Sequence, residues 1–272
     1  MIERVTPDGK TSYHESGQGK PLVLLHGFPL SKAMWRPQVD ALAQAARVLV
    51  PDLPGFGGSK GFDGPPTMDA MADRVAQFLD ALNITEPVVV GGLSMGGYVS
   101  LAFARRHPRR LRGLILADTK ADPDDATGKA NRDKAMALAG ESGSRAVIEQ
   151  MLPNVVGRDT AATRPEVAEG IRTIGSAQTP AAVIAALKAV RDRPDARPGL
   201  GAIGVPTLVI VGDQDTLTPP AKSEEIARGV PGAKLVIIPG VGHVANLEAA
   251  DKFNSAVLDF LASLDQGTVP KA

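Results

Sequence analysis

Residues 88–97 read Val-Val-Val-Gly-Gly-Leu-Ser-Met-Gly-Gly, and this stretch decides the fold. The valines form an apolar run that is typical of a buried strand, and residues 98–103, Tyr-Val-Ser-Leu-Ala-Phe, continue as a helix. Gly92, Ser94 and Gly96 between them form a G-x-S-x-G pattern, which is informative only when a strand precedes it and a helix follows. We therefore predict a serine on a sharp strand-to-helix turn, with small neighbours because the backbone there is crowded.

Outward from this turn, short apolar runs alternate with helix-patterned segments in both directions along the chain. Runs that are apolar on both faces are what a parallel sheet with two covered faces requires. The first 20 residues contain two turn signals and predict an antiparallel hairpin at the sheet edge. The pattern predicts an α/β fold with a mostly parallel central sheet flanked by helices. The predicted strands are 22–26, 47–50, 87–91, 112–117, 207–211 and 234–238, and the predicted helices are 68–82, 96–106, 219–230 and 246–264.

One long stretch breaks the alternation of strands and helices. Residues 119–200 contain no convincing strand, only Ala-rich helical segments separated by Gly and Pro. We predict four helices there, at 123–139, 144–151, 165–175 and 180–192. A crossover between parallel strands usually needs one helix, so the stretch predicts a helical cap, or lid, at 119–200 inserted into a core of 1–118 and 201–272. The alternative is an elaborate crossover that has no function of its own.

A serine hydroxyl is a poor nucleophile at neutral pH and needs a base beside it. The chain has four histidines. His243 follows the last predicted strand, at the sheet edge where ligand sites of open α/β sheets lie and where Ser94 is expected. The other three histidines fit the role of the base less well. His14 lies in the hairpin and is expected to face solvent. His26 stands at the wrong place in chain order for the base, and His107 stands at a helix end. We therefore predict His243 as the base.

The acid that orients the base should come from a loop between Ser94 and His243 at the same sheet edge. Asp213 and Asp215 both follow the strand at 207–211, and Asp118 follows the strand at 112–117. Asp215 lies further from its strand end and has more reach toward the histidine, so we favour it and keep the other two as alternatives. Its work would be to accept the second imidazole N–H and stabilise the imidazolium.

Composition excludes several other classes of function. The 272 residues have a formal net charge of zero and no cysteine, which excludes disulfides, thiolate nucleophiles and cysteine-based metal sites. The neutral balance argues against nucleic-acid and anionic-membrane partners. The first residues lack the apolar run of a signal peptide and no stretch is long enough to span a membrane, so a cytoplasmic protein is expected. The proposed chemistry needs no metal or organic cofactor.

Five motifs together resemble those of the α/β-hydrolase superfamily, and the resemblance extends along essentially the whole chain. The chain order Ser94, Asp215, His243 is also the order of that architecture. Residues 119–200 resemble the lids of small esterases and of 3-oxoadipate enol-lactonase-like proteins. The motifs are His-Gly-Phe-Pro at 26–29, Pro-Asp-Leu-Pro-Gly-Phe-Gly-Gly-Ser at 51–59, Gly-Leu-Ser-Met-Gly-Gly at 92–97, Gly-Asp-Gln-Asp at 212–215 and Gly-His at 242–243.

The resemblance implies an oxyanion hole made by the main-chain N–H groups of Phe28 and Met95, and a loop-organising role for His26. Two departures narrow the chemistry. The nucleophile position is Ser94, where related dehalogenases and epoxide hydrolases carry Asp, which disfavours an alkyl-enzyme pathway. The oxyanion loop has Phe28, where cofactor-free perhydrolases often carry Trp, which disfavours perhydrolysis.

These observations predict hydrolysis of a small carboxylic ester or lactone through an acyl-enzyme on Ser94. An enol-lactonase or a C–C bond hydrolase would use the same three residues, and an acyltransferase, a perhydrolase or a non-catalytic binding protein are further alternatives. Apolar residues of the predicted lid are expected to line the acyl pocket. They are Met136, Met151, Leu152, Ile171 and Ile174.

Overall fold

In this computed structural model, which describes residues 2–266, a central sheet of eight strands organises the chain. The strand order is β1-β2-β4-β3-β5-β6-β7-β8; β1 and β2 run antiparallel to their neighbours, and the others are parallel. The predicted α/β fold, with a mostly parallel central sheet flanked by helices, is confirmed. The strands are β1 Ile2–Val5, β2 Ser12–Ser16, β3 Pro21–Leu25, β4 Arg47–Pro51, β5 Val88–Leu93, β6 Leu111–Ala117, β7 Thr207–Gly212 and β8 Lys234–Ile238.

The inner strands are apolar throughout because each of their faces is covered by helices. In β3, Leu22 and Leu24 belong to the core beneath α1 (Arg36–Leu42) and α10 (Ala250–Asp265). Val23 and Leu25 point the other way, into the core beneath α2 (Met68–Ala81) and α3 (Met95–Arg106). Successive side chains of the strand point to opposite faces of the sheet. Because both faces are covered, no position along the strand is polar.

Near the end of the chain, the structure divides one predicted helix into two. The segment predicted as a single helix at 246–264 forms α9 (Ala245–Glu248) and α10. The break is at Ala249, whose φ of −139° is not helical. The remaining helix of this part, α8 (Pro220–Gly229), agrees with the prediction to within a residue at each end.

Between β6 and β7, residues 119–200 form helices and connecting loops but no strand; we call them the inserted segment. The helices are α4 (Ala126–Val155), α5 (Arg158–Thr163), α6 (Pro165–Ser176) and α7 (Pro180–Arg191). Two of the predicted helices are one element here, α4, which bends at Gly143, where φ is +79°. The short helix α5 was not predicted. Among residues 2–266, no helix is long and apolar enough to cross a membrane.

Candidate active site

Ser94 lies between the end of β5 and the first residue of α3, on the predicted strand-to-helix turn. Its backbone has φ +54° and ψ −113°. A side chain in this left-handed region costs about 1–3 kcal/mol, so the surroundings must hold it there. They do so through hydrogen bonds: the Ser94 N–H donates to the carbonyl oxygen of Ala117 at 2.9 Å, and Thr119 Oγ1 donates to the Ser94 carbonyl oxygen at 2.9 Å.

The two glycines of the motif are required by close approach of the backbone on either side of the turn. A methyl group added at Gly92 would lie 2.1 Å from the carbonyl oxygen of Gly96. One added at Gly96 would lie 2.2 Å from the carbonyl oxygen of Leu25 in β3. Both distances are far inside van der Waals contact, so the turn can bring Ser94 out of the sheet only with glycine at these positions.

The structure brings Ser94, His243 and Asp215 together at the carboxyl edge of the sheet. His243 Nε2 lies 2.8 Å from Ser94 Oγ, and His243 Nδ1 lies 2.8 Å from Asp215 Oδ2. His243 and Asp215 are buried, and Ser94 is partly exposed to the cavity described below. The chain of hydrogen bonds therefore runs from a buried carboxylate through an imidazole to an accessible hydroxyl.

Asp215 receives four hydrogen bonds, which fix its carboxylate on the loop after β7. Oδ1 accepts the main-chain N–H groups of Leu217 at 2.8 Å and Thr218 at 2.9 Å. Oδ2 accepts the Thr218 hydroxyl at 2.6 Å in addition to His243. Burial alone would raise the pKa of Asp215, but the charge of His243 and these hydrogen bonds outweigh it and hold the pKa below its ordinary value.

The other two candidate acids lie nearby but do not contact the imidazole. Asp118 is completely buried, and its two oxygens accept the main-chain N–H groups of Gly212 and Ala245. Burial, and then repulsion from Asp215, raise its pKa well above the ordinary value. Asp213 is exposed, and its carboxylate accepts a main-chain N–H of the loop after β8.

Among residues 2–266, the rings of the remaining three histidines make no hydrogen bond to Ser94. The buried ring of His26 donates from Nδ1 to the carbonyl oxygen of the next residue and accepts the Leu53 N–H at Nε2, 2.9 Å away. It thus joins two loops, as the resemblance implied. His107 caps the C-terminal end of α3 and contacts Asp73 at 2.8 Å. His14 was expected to face solvent, but it is half-buried on β2, and burial lowers its pKa.

Phe28 and Met95 both line the same cavity as Ser94 and His243. Phe28 lies on the loop after β3, and Met95 is the first residue of α3, where helical N–H groups lack an intrahelical acceptor. No acceptor for either main-chain N–H is found among residues 2–266. Both groups are therefore free to donate to an oxygen atom in the cavity.

Hydrogen bonds join the loop that carries His243 to the inserted segment. The sequence did not reveal this connection. The His243 N–H donates to the carbonyl oxygen of Val155, the last residue of α4, at 2.9 Å. The buried Glu248 accepts the Gly242 N–H at Oε1 and the Gly157 N–H at Oε2, each at 2.9 Å. One carboxylate thus bridges the histidine loop and the junction of α4 with α5.

A cavity of about 160 Å³, which we call the triad cavity, opens beside Ser94 and His243. A smaller one of about 10 Å³ is also lined by Ser94 and His243. Of the residues predicted to line the acyl pocket, Met151 lines the triad cavity and Ile171 lines the smaller one.

Met136, Leu152 and Ile174 line neither of these cavities, and the structure corrects their prediction as pocket walls. Leu152 and Ile174 pack into the core cluster beneath α1 and α10. Met136 packs between α4 and α7, within the inserted segment itself. Their apolar side chains therefore serve to attach and consolidate the inserted segment.

Two cationic side chains in the triad cavity were also not predicted. Lys120 follows β6 and its Nζ lies 3.3 Å from Asp122; Arg132 in α4 places Nε 3.0 Å from Asp124. Four cationic side chains contact these two carboxylates, so the cluster has an excess of two positive charges. The cations are Lys120, Arg132, Arg193 and Lys222.

Little in the sequence could have identified these additional residues. The turn that contains Thr218 had a signal, since an Asp such as Asp215 often accepts the main-chain N–H two residues later. Glu248, Lys120 and Arg132 had none, because their partners lie on elements distant in sequence. In residues 2–266, no group of three or more His, Asp or Glu side chains is arranged to hold a metal ion.

The chain is similar in sequence and in fold to known hydrolases. A family model described as alpha/beta hydrolase fold matches residues 20–250. The chain is 32% identical to the 2-hydroxymuconate semialdehyde hydrolase of a Pseudomonas species, over 96% of this chain and 93% of that protein. It is 39% identical to a thermophilic esterase of Thermogutta terrifontis solved with malate bound, with a TM-score of 0.91 over 97% and 98% of the two chains. The enol-lactonase of Burkholderia xenovorans is 30% identical, with a TM-score of 0.86 over 96% of this chain and all of that one (100%).

Proposed function

This chain belongs to the α/β-hydrolase fold family, and from that membership we propose that it hydrolyses small carboxylic esters through an acyl-enzyme on Ser94. The observation that carries the proposal is the pair of 2.8 Å contacts that join Ser94 Oγ to His243 and His243 to Asp215. A nucleophile, a base within hydrogen-bond reach and a third group that orients the base are the parts that nucleophilic catalysis needs.

In the first half of the reaction, Ser94 Oγ attacks the carbonyl carbon of the ester while its proton passes to His243 Nε2. The carbonyl oxygen becomes negatively charged, and the free N–H groups of Phe28 and Met95 are suited to stabilise it. One such donor is worth on the order of 10²–10³ in rate. The tetrahedral intermediate then breaks its bond to the alcohol oxygen, which leaves with the proton from His243, and the acyl group stays on Ser94.

In the second half, water takes the place of the alcohol. It gives a proton to His243 Nε2 and attacks the acyl carbon, and the acid is released as Ser94 Oγ recovers that proton. Asp215 accepts the Nδ1–H of His243 throughout, so it fixes the tautomer and stabilises the imidazolium that forms twice in each turnover. The lowered pKa of Asp215 suits this role, because the carboxylate must stay charged.

For the substrate, we propose a short acyl group that carries a carboxylate. The triad cavity is small, at about 160 Å³, and Lys120 and Arg132 both reach it. Arg132 uses Nε for Asp124, and among residues 2–266 its Nη atoms have no hydrogen-bond partner. The same cations favour a second candidate, a lactone bearing a carboxylate, which is consistent with the similarity to an enol-lactonase.

Replacement of the nucleophile tests the proposed function. Ser94→Ala should lower kcat/KM for p-nitrophenyl butyrate by about 10⁵–10⁶, because the three residues act as one unit. A fluorophosphonate probe should label Ser94 in the wild type, as located by peptide mass spectrometry, and the labelling should be lost in His243→Ala. Ser142→Ala, at an exposed position of α4, is the matched control and should keep wild-type activity. Esterase activity that persists in Ser94→Ala would refute the proposal.

A further inference from the structure

A third and larger cavity is lined by residues of α3 and by residues 193–203. Its volume is about 550 Å³, and we call it the α3 cavity. Its walls are mainly apolar and include Leu101, Ala102, Leu200 and Ile203. Ligand pockets usually measure about 300–1,000 Å³, so the α3 cavity has the size of such a pocket, whereas the triad cavity is smaller.

The two cavities share walls. Tyr98 and Lys120 line both the triad cavity and the α3 cavity, so at this point a single layer of side chains separates them. Tyr98 lies four residues after Ser94 on α3, which corresponds to about 6 Å along the helix axis. Leu101 and Ala102, one turn further on, already face the α3 cavity. An acyl chain that extends from Ser94 along the helix would therefore meet Tyr98 before it could enter the larger space.

Tyr98 is held firmly in this position. Its side chain is buried, and the guanidinium of Arg193 lies over its ring, 4.4 Å from the centroid. Arg193 is itself fixed by an ion pair with Asp124 at 2.9 Å and by donation to the carbonyl oxygens of Val190 and Asp122. A cation over an aromatic face in a buried setting is attractive, so the ring and the guanidinium support each other. The part of the wall formed by Tyr98 is rigid.

We propose that Tyr98 is a specificity-determining residue that sets the acyl-length limit of the enzyme by closing the triad cavity toward the α3 cavity. With the tyrosine ring in place, only short acyl groups fit beside Ser94. Shortening this side chain joins the two cavities into one pocket that accepts medium-length acyl chains. This inference rests on the proposed ester hydrolysis at Ser94.

The test compares p-nitrophenyl butyrate with p-nitrophenyl octanoate. The wild type should prefer the butyrate ester, and Tyr98→Ala should raise the octanoate-to-butyrate ratio of kcat/KM by about 10-fold to about 250-fold, since burial of each of four extra methylenes is worth at most roughly fourfold. Tyr98→Phe retains the ring and should retain the wild-type ratio. Adding Ile203→Trp to Tyr98→Ala refills the α3 cavity and should reverse the gain, whereas Ile203→Trp alone should leave the ratio unchanged.

Three results would overturn the inference. They are a wild-type preference for octanoate, an unchanged ratio in a folded Tyr98→Ala variant, or a gain that Ile203→Trp does not reverse. If Tyr98→Ala does not fold, as judged by circular dichroism, Tyr98→Leu takes its place in the same comparison. The absence of any hydrolysis that depends on Ser94 would instead refute the proposed function, so the two failures are distinguishable.

Discussion

Replacing Asp215 with Asn is the sharpest perturbation of the candidate site, because it removes a charge and changes almost no volume. The outcome follows from the four hydrogen bonds at this position. Oδ1 faces two main-chain N–H donors, from Leu217 and Thr218, which cannot change their direction. The oxygen of the introduced amide must therefore take the Oδ1 position, and its NH₂ group must take the position of Oδ2, opposite His243 Nδ1.

An NH₂ group facing Nδ1 reverses the hydrogen bond to the imidazole. His243 would then accept at Nδ1 and carry its proton on Nε2, the atom that lies 2.8 Å from Ser94 Oγ. Such a tautomer cannot take the proton of the serine. The corresponding change in a chymotrypsin-type protease lowers kcat by about 10⁴, and we expect a loss of that order here.

The assay is the steady-state hydrolysis of p-nitrophenyl butyrate, together with the rate at which a fluorophosphonate labels Ser94. Asp213→Asn is the matched control, because Asp213 lies on the same loop and is exposed, and its activity should stay close to that of the wild type. Thermal unfolding establishes that the variants are folded. Retention of a tenth or more of the activity by Asp215→Asn, or a larger loss in Asp118→Asn, would refute this assignment of the acid.

Two further predictions concern charged groups around the site. Arg132→Met should lower kcat/KM for the monomethyl ester of a short dicarboxylic acid by about 10-fold or more relative to its dimethyl ester. The reason is that only the monomethyl ester has a carboxylate for Arg132, and a hydrogen bond to a charged group is worth about 1.5–3 kcal/mol. Equal effects on both esters would contradict a carboxylate partner. Folding raises the pKa of Asp118. The native state therefore binds more protons than the unfolded state between about pH 4 and that raised pKa. The unfolding free energy consequently falls as the pH rises through this window. Urea titrations at several pH values should show this fall in the wild type and not in Asp118→Asn, and identical pH profiles would count against it.

The sheet could be predicted closely from the sequence because its strands are covered on both faces. A short apolar run such as the one in β5 is distinguished from a buried helix by its length, its β-branched valines and the Pro and Gly residues that flank it. The strand β8 has the predicted bounds, and the other predicted strands differ by a residue or two. The predicted helix ends are less accurate where the backbone departs locally from helical geometry. At Gly143, for example, the backbone bends α4 without ending it.

The side chains around the candidate triad show where sequence reasoning stops. Residues that follow strand ends, such as His243 and Asp215, could be placed because the topology of a parallel sheet brings those ends to one edge. The positions of lid residues such as Met136, Leu152 and Ile174 could not be predicted in this way. Helical periodicity identifies an apolar face, but it does not show whether that face covers a core or a cavity. Residues such as Glu248 act through contacts between distant segments, and no local pattern marks them.

The bridge made by Glu248 has a consequence for how this architecture can be recombined. The main chain at 155–157 is at once the bend between two helices of the inserted segment and a support for the loop that presents the imidazole. Grafting a whole helical insertion from a relative is the obvious way to exchange substrate preference. Such a graft would also replace the main chain at 155–157, which supports the loop of the proposed base, His243. Chimeras should therefore keep the native main chain at 155–157 together with Glu248 and exchange only the helices that follow residue 157. The substrate preference could then change without displacing His243.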